Sequence, residues 1–182
     1  MKTESTVHFV LRVALTLLII TAITAAALAG VNALTEDRIA AVKEENTRKA
    51  IEAVLPGGGE EIPFTDSTGT VTKVYASDSG YAVEVTPAGF GGTVDMMVGI
   101  DREGKVLGVR IISHSETPGL GASAAAENAA GEDFRGQFIG LSGTLAVTKD
   151  GGGIDALTGA TVTSRAVTSG VNAALACVAG LS

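Results

Sequence analysis

The stretch VDMMVGIDREGKVLGVRIIS, residues 94–113, decides the class of fold that the sequence predicts. Two apolar, β-branched runs flank the turn sequence DREG at 101–104, which is typical of an antiparallel hairpin. Upstream, Val71–Ala76 and Tyr81–Thr86 flank a second turn sequence, DSG at 78–80. These runs therefore predict an antiparallel meander.

The segments after this meander predict helices that flank the sheet. Ala122–Ala130 is rich in alanine and predicts a short helix, whereas Leu145–Thr148 predicts one further strand. Ser164–Leu181 carries apolar residues at helical spacing and predicts a final helix. Strand runs that are followed by a closing helix indicate an α+β domain, which we assign to residues 57–182.

An uncharged apolar run, VALTLLIITAITAAALAG, covers residues 13–30. As a helix it would be ~27 Å long, close to the ~30 Å hydrocarbon core of a bilayer. A cleaved signal peptide is the alternative, because residues 27–29 have the small-x-small form. The run is longer than the ~7–15 residues of a signal core, however. We therefore expect a short tail at 1–12 and a retained transmembrane helix at 13–33.

Residues 34–56, LTEDRIAAVKEENTRKAIEAVLP, carry apolar side chains near helical spacing. Glu45 and Lys49 form an i, i+4 pair in the favourable orientation, and Pro56 with the following glycines ends the helix. This segment predicts a helical stalk that continues the membrane helix and docks on the domain. Basic residues flank the anchor on both sides, so charge does not set its orientation.

Composition argues against several classes of function. The formal net charge of −7 and the lack of Trp disfavour a nucleic-acid partner. The single cysteine, Cys177, allows neither an intrachain disulfide nor a thiolate metal cluster, and we expect it to be buried on the last helix. A paired-histidine metal site is not expected either, because one of the two histidines, His8, precedes the anchor.

The segment IDALTGATVTSRA, residues 154–166, places hydroxyl-bearing and small residues at the start of the final helix. The unpaired N–H groups and the dipole of a helix N-terminus favour a phosphate, and small residues let a ligand approach the backbone. On the residues alone, an ordinary N-cap by Thr161, Thr163 or Ser164 explains the pattern as well.

Two further segments have patterns that indicate either a functional or a structural role. SHSETPGLG, residues 113–121, places His114 and Glu116 beyond a strand, where they suit acid–base chemistry or form an ordinary polar loop. GFGGTVDMMVGID, residues 89–101, surrounds Phe90 with glycines. That pattern indicates either a bend where a ligand approaches the backbone or a tight turn before a strand.

Taken together, the three segments resemble the FMN-binding domain family. The run DALTGAT at 155–161 is similar to that family's flavinylation motif, Asp-x-x-Ser/Thr-Gly-Ala-Thr, and the other two segments occur in the family's order. With its single anchor, the chain from Val7 onward resembles the G subunit of the Rnf electron-transport complex. The related C subunit of the sodium-pumping NADH:quinone reductase is a close second, but its members are generally longer.

The resemblance implies one FMN per chain, attached covalently through its phosphate to Thr161, the last residue of the motif. It also implies that a separate flavin transferase installs this FMN from FAD with a divalent metal. The polar residues of the segment at 113–121 are implied to meet the flavin ring or the ribityl hydroxyls. The candidate cofactor-binding residues are Thr161, Asp155, Leu157, Thr158, Gly159, Ala160, His114, Glu116 and Thr117.

The resemblance further implies an electron-relay subunit of an ion-translocating ferredoxin:NAD oxidoreductase complex, with other membrane and iron–sulfur subunits as partners. Such a subunit is not a complete enzyme alone, and we expect no catalytic residue and no metal ligand in it. It would lie in the cytoplasmic (inner) membrane with its soluble domain on the extracytoplasmic side. Two alternatives stay open: a membrane-anchored FMN-binding sensor or regulatory module, and a plain extracytoplasmic binding domain in which Thr161 is unmodified.

Overall fold

The computed structural model describes residues 3–66 and 68–181. Its three helices and five strands confirm the predicted α+β class. In chain order they are α1 (Thr3–Val54), β1 (Glu60–Glu61), β2 (Val71–Ser77), β3 (Gly80–Val85), β4 (Val94–Asp101), β5 (Val106–His114), α2 (Ala129–Gly136) and α3 (Thr161–Ala179). The chain divides into two compact units, Met1–Glu44 and Glu45–Ser182.

The described part of the first unit is α1 up to Glu44, which includes the apolar run of the sequence. Within the described residues, one helix is long and apolar enough to cross a membrane. It is the part of α1 at Thr6–Val54, whose most apolar window has a mean hydropathy of 2.3. Threonine hydroxyls in this helix donate to backbone carbonyls one turn earlier, so their polar groups are satisfied without water. These threonines are Thr16, Thr21 and Thr24.

The second unit is built on a five-stranded sheet with the order β1-β2-β3-β4-β5. Every neighbouring pair is antiparallel, which confirms the predicted meander. The predicted turns lie between β2 and β3 and between β4 and β5, where Gly104 has a φ of 77° that favours glycine. Edge strand β1 is an addition, since two glutamates carry no apolar strand pattern.

The central strands are buried on both faces. Helix α3 covers one face, where Val83, Val85 and Met96 join its apolar residues in the main core. The end of α1 covers the other face, where Val54 and Leu55 pack with Ala82 and Met97. Burying a side chain such as Leu55 contributes about 1.5–3 kcal/mol to folding. The sheet is therefore clamped between two helices and is a firm base for the loops at its edges.

The predicted helix at Ala122–Ala130 is wrong in its bounds. The chain forms a 3-10 turn at Gly121–Ala124, and α2 begins only at Ala129. The reason is the side chain of Asn128, which accepts a hydrogen bond of 3.0 Å from the backbone N–H of Gly131 and so caps the later helix. Alanine content alone does not outweigh this cap.

The further strand predicted at Leu145–Thr148 is reduced to a single bridge between Val147 and Ile154. Asn172 of α3 uses its side-chain amide to bind both backbone groups of Leu145, at 2.9 and 2.8 Å. Those groups are therefore not free to pair with another strand. The prediction for Cys177 is confirmed, because its side chain is buried on α3 and burial raises the pKa of its thiol.

Candidate functional site

The carboxylate of Glu116 joins the three segments singled out in the sequence. Its Oε1 accepts hydrogen bonds from the backbone N–H groups of Phe90, at 2.8 Å, and Gly91, at 3.0 Å. Its Oε2 accepts a bond of 2.5 Å from the hydroxyl of Thr163 on α3. The glycine-rich bend, the loop after β5 and the start of α3 therefore meet at one side chain.

This carboxylate is buried, with 6% of Glu116 exposed. Burial by itself would raise the pKa of Glu116. The hydrogen bonds from Thr163, Gly91 and Phe90, together with the nearby His114, outweigh burial and hold the pKa below its usual range. Glu116 is therefore a charged group that the protein itself satisfies, and both of its oxygens are engaged by donors of this chain.

Two glycines make room for this carboxylate. A Cβ on Gly89 would collide with Oε1 of Glu116, and a Cβ on Gly121 would collide with Oε2 and with the hydroxyl of Thr163. The glycines of the bend and of the loop after β5 are therefore needed for close packing around a buried charge. Their role did not follow from their spacing in the sequence, because the spacing does not reveal what they face.

Thr161 is the first residue of α3, and its side chain is half-buried. The helix is capped by Ala160, which offers no side-chain acceptor. Among the described residues, no side-chain hydroxyl or carboxylate caps the N-terminal N–H groups of α3. The hydroxyl of Thr161 accepts a hydrogen bond of 3.0 Å from Nζ of Lys149.

None of the three hydroxyls considered for an N-cap caps the helix. Thr163 instead donates to Glu116. Ser164 accepts a bond from the backbone N–H of Leu157 and donates to the carbonyl of Ala160, both at 3.0 Å. Ser164 thus holds the loop before the helix in shape, and Thr161 is left at the surface.

Hydrogen bonds hold the start of the loop that carries the motif. The backbone of Asp155 exchanges two hydrogen bonds with the side chain of Gln137, at 2.7 and 3.2 Å. Gly159 has a φ of 73°, and a Cβ there would lie 3.0 Å from Leu120 of the loop after β5. Of the other candidates, Thr158 is exposed and Ala160 is buried. The motif is therefore a rigid turn that leaves Thr158 and Gly159 open to solvent.

The remaining candidates lie at the end of β5 and on the loop that follows it. His114 ends that strand opposite Val94, and its Nδ1 accepts a bond of 3.2 Å from the N–H of Glu116. Thr117 is exposed, and its carbonyl accepts the N–H groups of Leu120 and Ala122. The structure thus places His114 and Thr117 on either side of Glu116.

Sequence reasoning missed a second polar cluster beside the motif. A 3-10 turn at Thr148–Asp150 carries Lys149, which reaches Thr161, and Asp150, which accepts two bonds from Arg165 at 2.7 and 2.6 Å. The hydrogen bond from Arg165 lowers the pKa of Asp150. The only sequence signal was the pair of charged residues before the glycine run.

Each of the three segments also carries an apolar side chain that is in contact with solvent. Phe90 is 72% exposed, Leu120 is 43% exposed and Val162 is 46% exposed. Among the described residues, no group of three or more His, Cys, Asp or Glu side chains is arranged to hold a metal ion. The site therefore offers an accessible hydroxyl, a cation, free helix N–H groups and exposed apolar side chains.

Comparison with known proteins gives two family matches. Residues 89–176 match the FMN-binding domain, and residues 1–54 match the RnfG N-terminal region. The chain is 32% identical to the G subunit of the ion-translocating oxidoreductase complex of Methanosarcina acetivorans, over 90% of this chain and 92% of the relative. It is 34% identical to the G subunit of the Na⁺-translocating ferredoxin:NAD⁺ oxidoreductase complex of Acetobacterium woodii, over 90% and 88%. A proton-translocating counterpart from Clostridium ljungdahlii is 43% identical over 56% of this chain and 57% of the relative.

Proposed function

This chain belongs to the family of G subunits of ion-translocating oxidoreductase complexes, and from that membership we propose that it relays electrons through FMN in a ferredoxin:NAD oxidoreductase complex. It is a single-pass membrane protein with one apolar N-terminal helix. The observation that carries the proposal is the match to the FMN-binding domain over 89–176, which covers every segment that meets at Glu116.

The residues present at the start of α3 fit the phosphate end of FMN. Thr161 supplies an accessible hydroxyl, Lys149 supplies a cation 3.0 Å from it, and Ala160 leaves the helix N–H groups without a side-chain partner. A phosphate there gains roughly 0.3–1 kcal/mol from the helix dipole. That energy is too small to retain a cofactor, so we propose a covalent phosphoester between one FMN and Thr161.

Bound FMN supplies the redox chemistry, since its ring accepts and releases electrons. This chain's residues position that ring. The exposed side chains of Phe90 and Leu120 are apolar groups on two of the segments that meet at Glu116, and His114, at the end of β5, and Thr117 are polar groups close to Glu116 in the chain. We assign Glu116 the task of holding the three segments together, because both its oxygens are engaged within the protein.

The attachment requires partners that the family resemblance implies. We propose that a separate flavin transferase takes the FMN from FAD with a divalent metal, and that other membrane and iron–sulfur subunits exchange electrons with this chain. The proposed membrane span is 13–33, followed by a stalk at 34–56. We propose that the flavin domain lies on the extracytoplasmic side.

A cysteine introduced at Pro56 tests this orientation, because Pro56 is exposed and Cys177 is buried. We expect a membrane-impermeant thiol reagent to label it in intact cells. Labelling only after lysis would place the domain in the cytoplasm.

The function itself is tested in native membranes. A tagged full-length chain should co-purify with iron–sulfur subunits, and deletion of its gene should abolish NAD reduction by ferredoxin in those membranes. Re-expression of the wild-type chain is the control and should restore the activity. Full activity without this chain would instead support the alternative of a flavin-binding sensor outside an electron-transport complex.

A further inference from the structure

We propose that Lys149 is a positioning residue that prepares the Thr161 hydroxyl for attack on the flavin substrate, an inference that rests on the proposed attachment at Thr161. Nζ of Lys149 lies 3.0 Å from Oγ1 of Thr161, although the two residues are 12 positions apart in the chain. No motif of the sequence links them. The contact arises from the way the 3-10 turn at Thr148–Asp150 lies against the start of α3.

Several bonds hold the turn that carries Lys149. Asp150, its neighbour, accepts two bonds from Arg165, which lies one turn after Thr161 on α3. The turn is closed from behind, because the carbonyl of Val147 accepts the N–H groups of Asp150 and Gly152, at 2.8 and 3.1 Å. Two adjacent residues of the turn therefore contact two residues of the helix that share a face.

This arrangement contributes little to stability, which suggests that it serves another purpose. The side chains of Arg165 and Asp150 are 50% and 41% exposed, and exposed ion pairs contribute only ~0–1 kcal/mol. The Lys149–Thr161 contact is exposed as well. What these contacts do provide is a cation 3.0 Å from the hydroxyl that is to react.

The chemistry of a lysine ammonium defines the effect. An ammonium has three N–H donors and no acceptor, so Oγ1 of Thr161 is the acceptor and its own hydrogen points elsewhere. A positive charge beside this oxygen stabilises the negative charge that develops as the proton leaves. The same charge attracts the pyrophosphate of a flavin dinucleotide. Lys149 does not take the proton, which passes to a base of the transferase.

The proposed step balances without any oxidation or reduction. Oγ1 of Thr161 forms a bond to the phosphorus of the FMN half of FAD. The bond from that phosphorus to the bridging oxygen of the pyrophosphate breaks, and AMP leaves with the electron pair. The product is a phosphodiester with one negative charge, next to the ammonium of Lys149.

The test is the rate of flavin transfer in vitro. Full-length chain made without transferase is incubated in detergent with purified flavin transferase, FAD and Mg²⁺, and in-gel flavin fluorescence is followed at several chain concentrations. We expect Lys149→Gln to lower the kcat of the transferase for this chain about tenfold or more, because the substitution removes a charge-assisted hydrogen bond. KM for the chain should stay nearly unchanged. Lys149→Arg should retain most of the rate, since the positive charge and the donors remain.

Lys105→Gln is the matched control, because Lys105 is an exposed lysine in the turn between β4 and β5. Its rate should equal that of the wild type. An equal rate in Lys149→Gln would overturn the inference, and so would a raised KM with unchanged kcat, which would make Lys149 a recognition contact for the transferase. A loss of rate that Lys149→Arg does not restore would also overturn it. If the wild type itself gains no flavin on Thr161, the proposed function fails instead.

Discussion

Two polar networks contact the first turn of α3, and they differ in burial and in the number of segments that they join. The network of Glu116 and Thr163 is buried, with 6% and 2% of these residues exposed, and it joins three segments of the chain. The network of Lys149 and Thr161 lies at the surface and joins one turn to the helix. Two hydroxyls only two residues apart therefore have opposite environments.

This difference indicates which of the two hydroxyls is available for attachment of a flavin phosphate. Thr163 is enclosed and already donates to a carboxylate, so a flavin phosphate cannot reach it without breaking the core of the site. Thr161 is half-buried and accepts a bond from a cation. The buried network holds the segments in place, and the surface network presents the reactive group.

The largest expected effect on stability is that of Glu116→Ala. The substitution leaves two backbone N–H groups and the hydroxyl of Thr163 without their acceptor, which costs about 3 kcal/mol or more. Thermal unfolding of the full-length chain in detergent measures the loss. Lys149→Gln is the comparison at the surface and should change stability by no more than about 0.5 kcal/mol. Equal losses in both variants would contradict this division of roles between the two networks.

The next largest effect is expected at Gly121, whose lack of a side chain leaves space for the carboxylate of Glu116. Gly121→Ala places a Cβ against the carboxylate of Glu116 and should destabilise the chain by about 1–3 kcal/mol. Gly136→Ala is the control, because a Cβ at the end of α2 meets no atom within 4 Å. That variant should match or slightly exceed the wild type in melting temperature. A tolerated Gly121→Ala would show that Glu116 moves easily and is not a fixed joint.

The smallest effect is a dependence on pH. The pKa of Glu116 is lowered in the folded chain, so its charged form stabilises the fold above the unfolded pKa of about 4.3. That stabilisation is lost as pH falls through the lower pKa of the folded state. The melting temperatures of wild type and Glu116→Gln should therefore differ at pH 7, and the difference should shrink as the pH falls below the unfolded pKa of about 4.3 and through the lower pKa of the folded state. A constant difference across that range would show that charge on Glu116 does not matter.

Much of the fold follows from local pattern. Strands β2 to β5 match the predicted runs within two residues, because turn residues bound each apolar run on both sides. Helix α2 was placed too early, since one asparagine cap at Asn128 outweighed a longer run of alanines. Strand β1 has no apolar pattern and is set by pairing with β2 alone.

Less of the site follows from local pattern. The amino-acid sequence alone identifies the motif at 155–161 and the two other segments. That they meet at Glu116 depends on contacts between residues 26 and 47 positions apart. Lys149 was missed for the same reason, because helical and strand periodicities carry no information on which distant residue a flexible side chain reaches.

The most direct test of the account is the position of the flavin bond. Full-length chain produced with a flavin transferase is cleaved by trypsin, and the peptide from Asp150 to Arg165 is fragmented in a mass spectrometer. This peptide contains all four candidate hydroxyls of the segment, at Thr158, Thr161, Thr163 and Ser164. We expect FMN on Thr161 alone and fluorescence that survives denaturing electrophoresis. Both signals should be lost in Thr161→Ala but not in Thr163→Ala. FMN on Thr163 or on any other residue, or fluorescence that persists in denatured Thr161→Ala, would contradict attachment at Thr161.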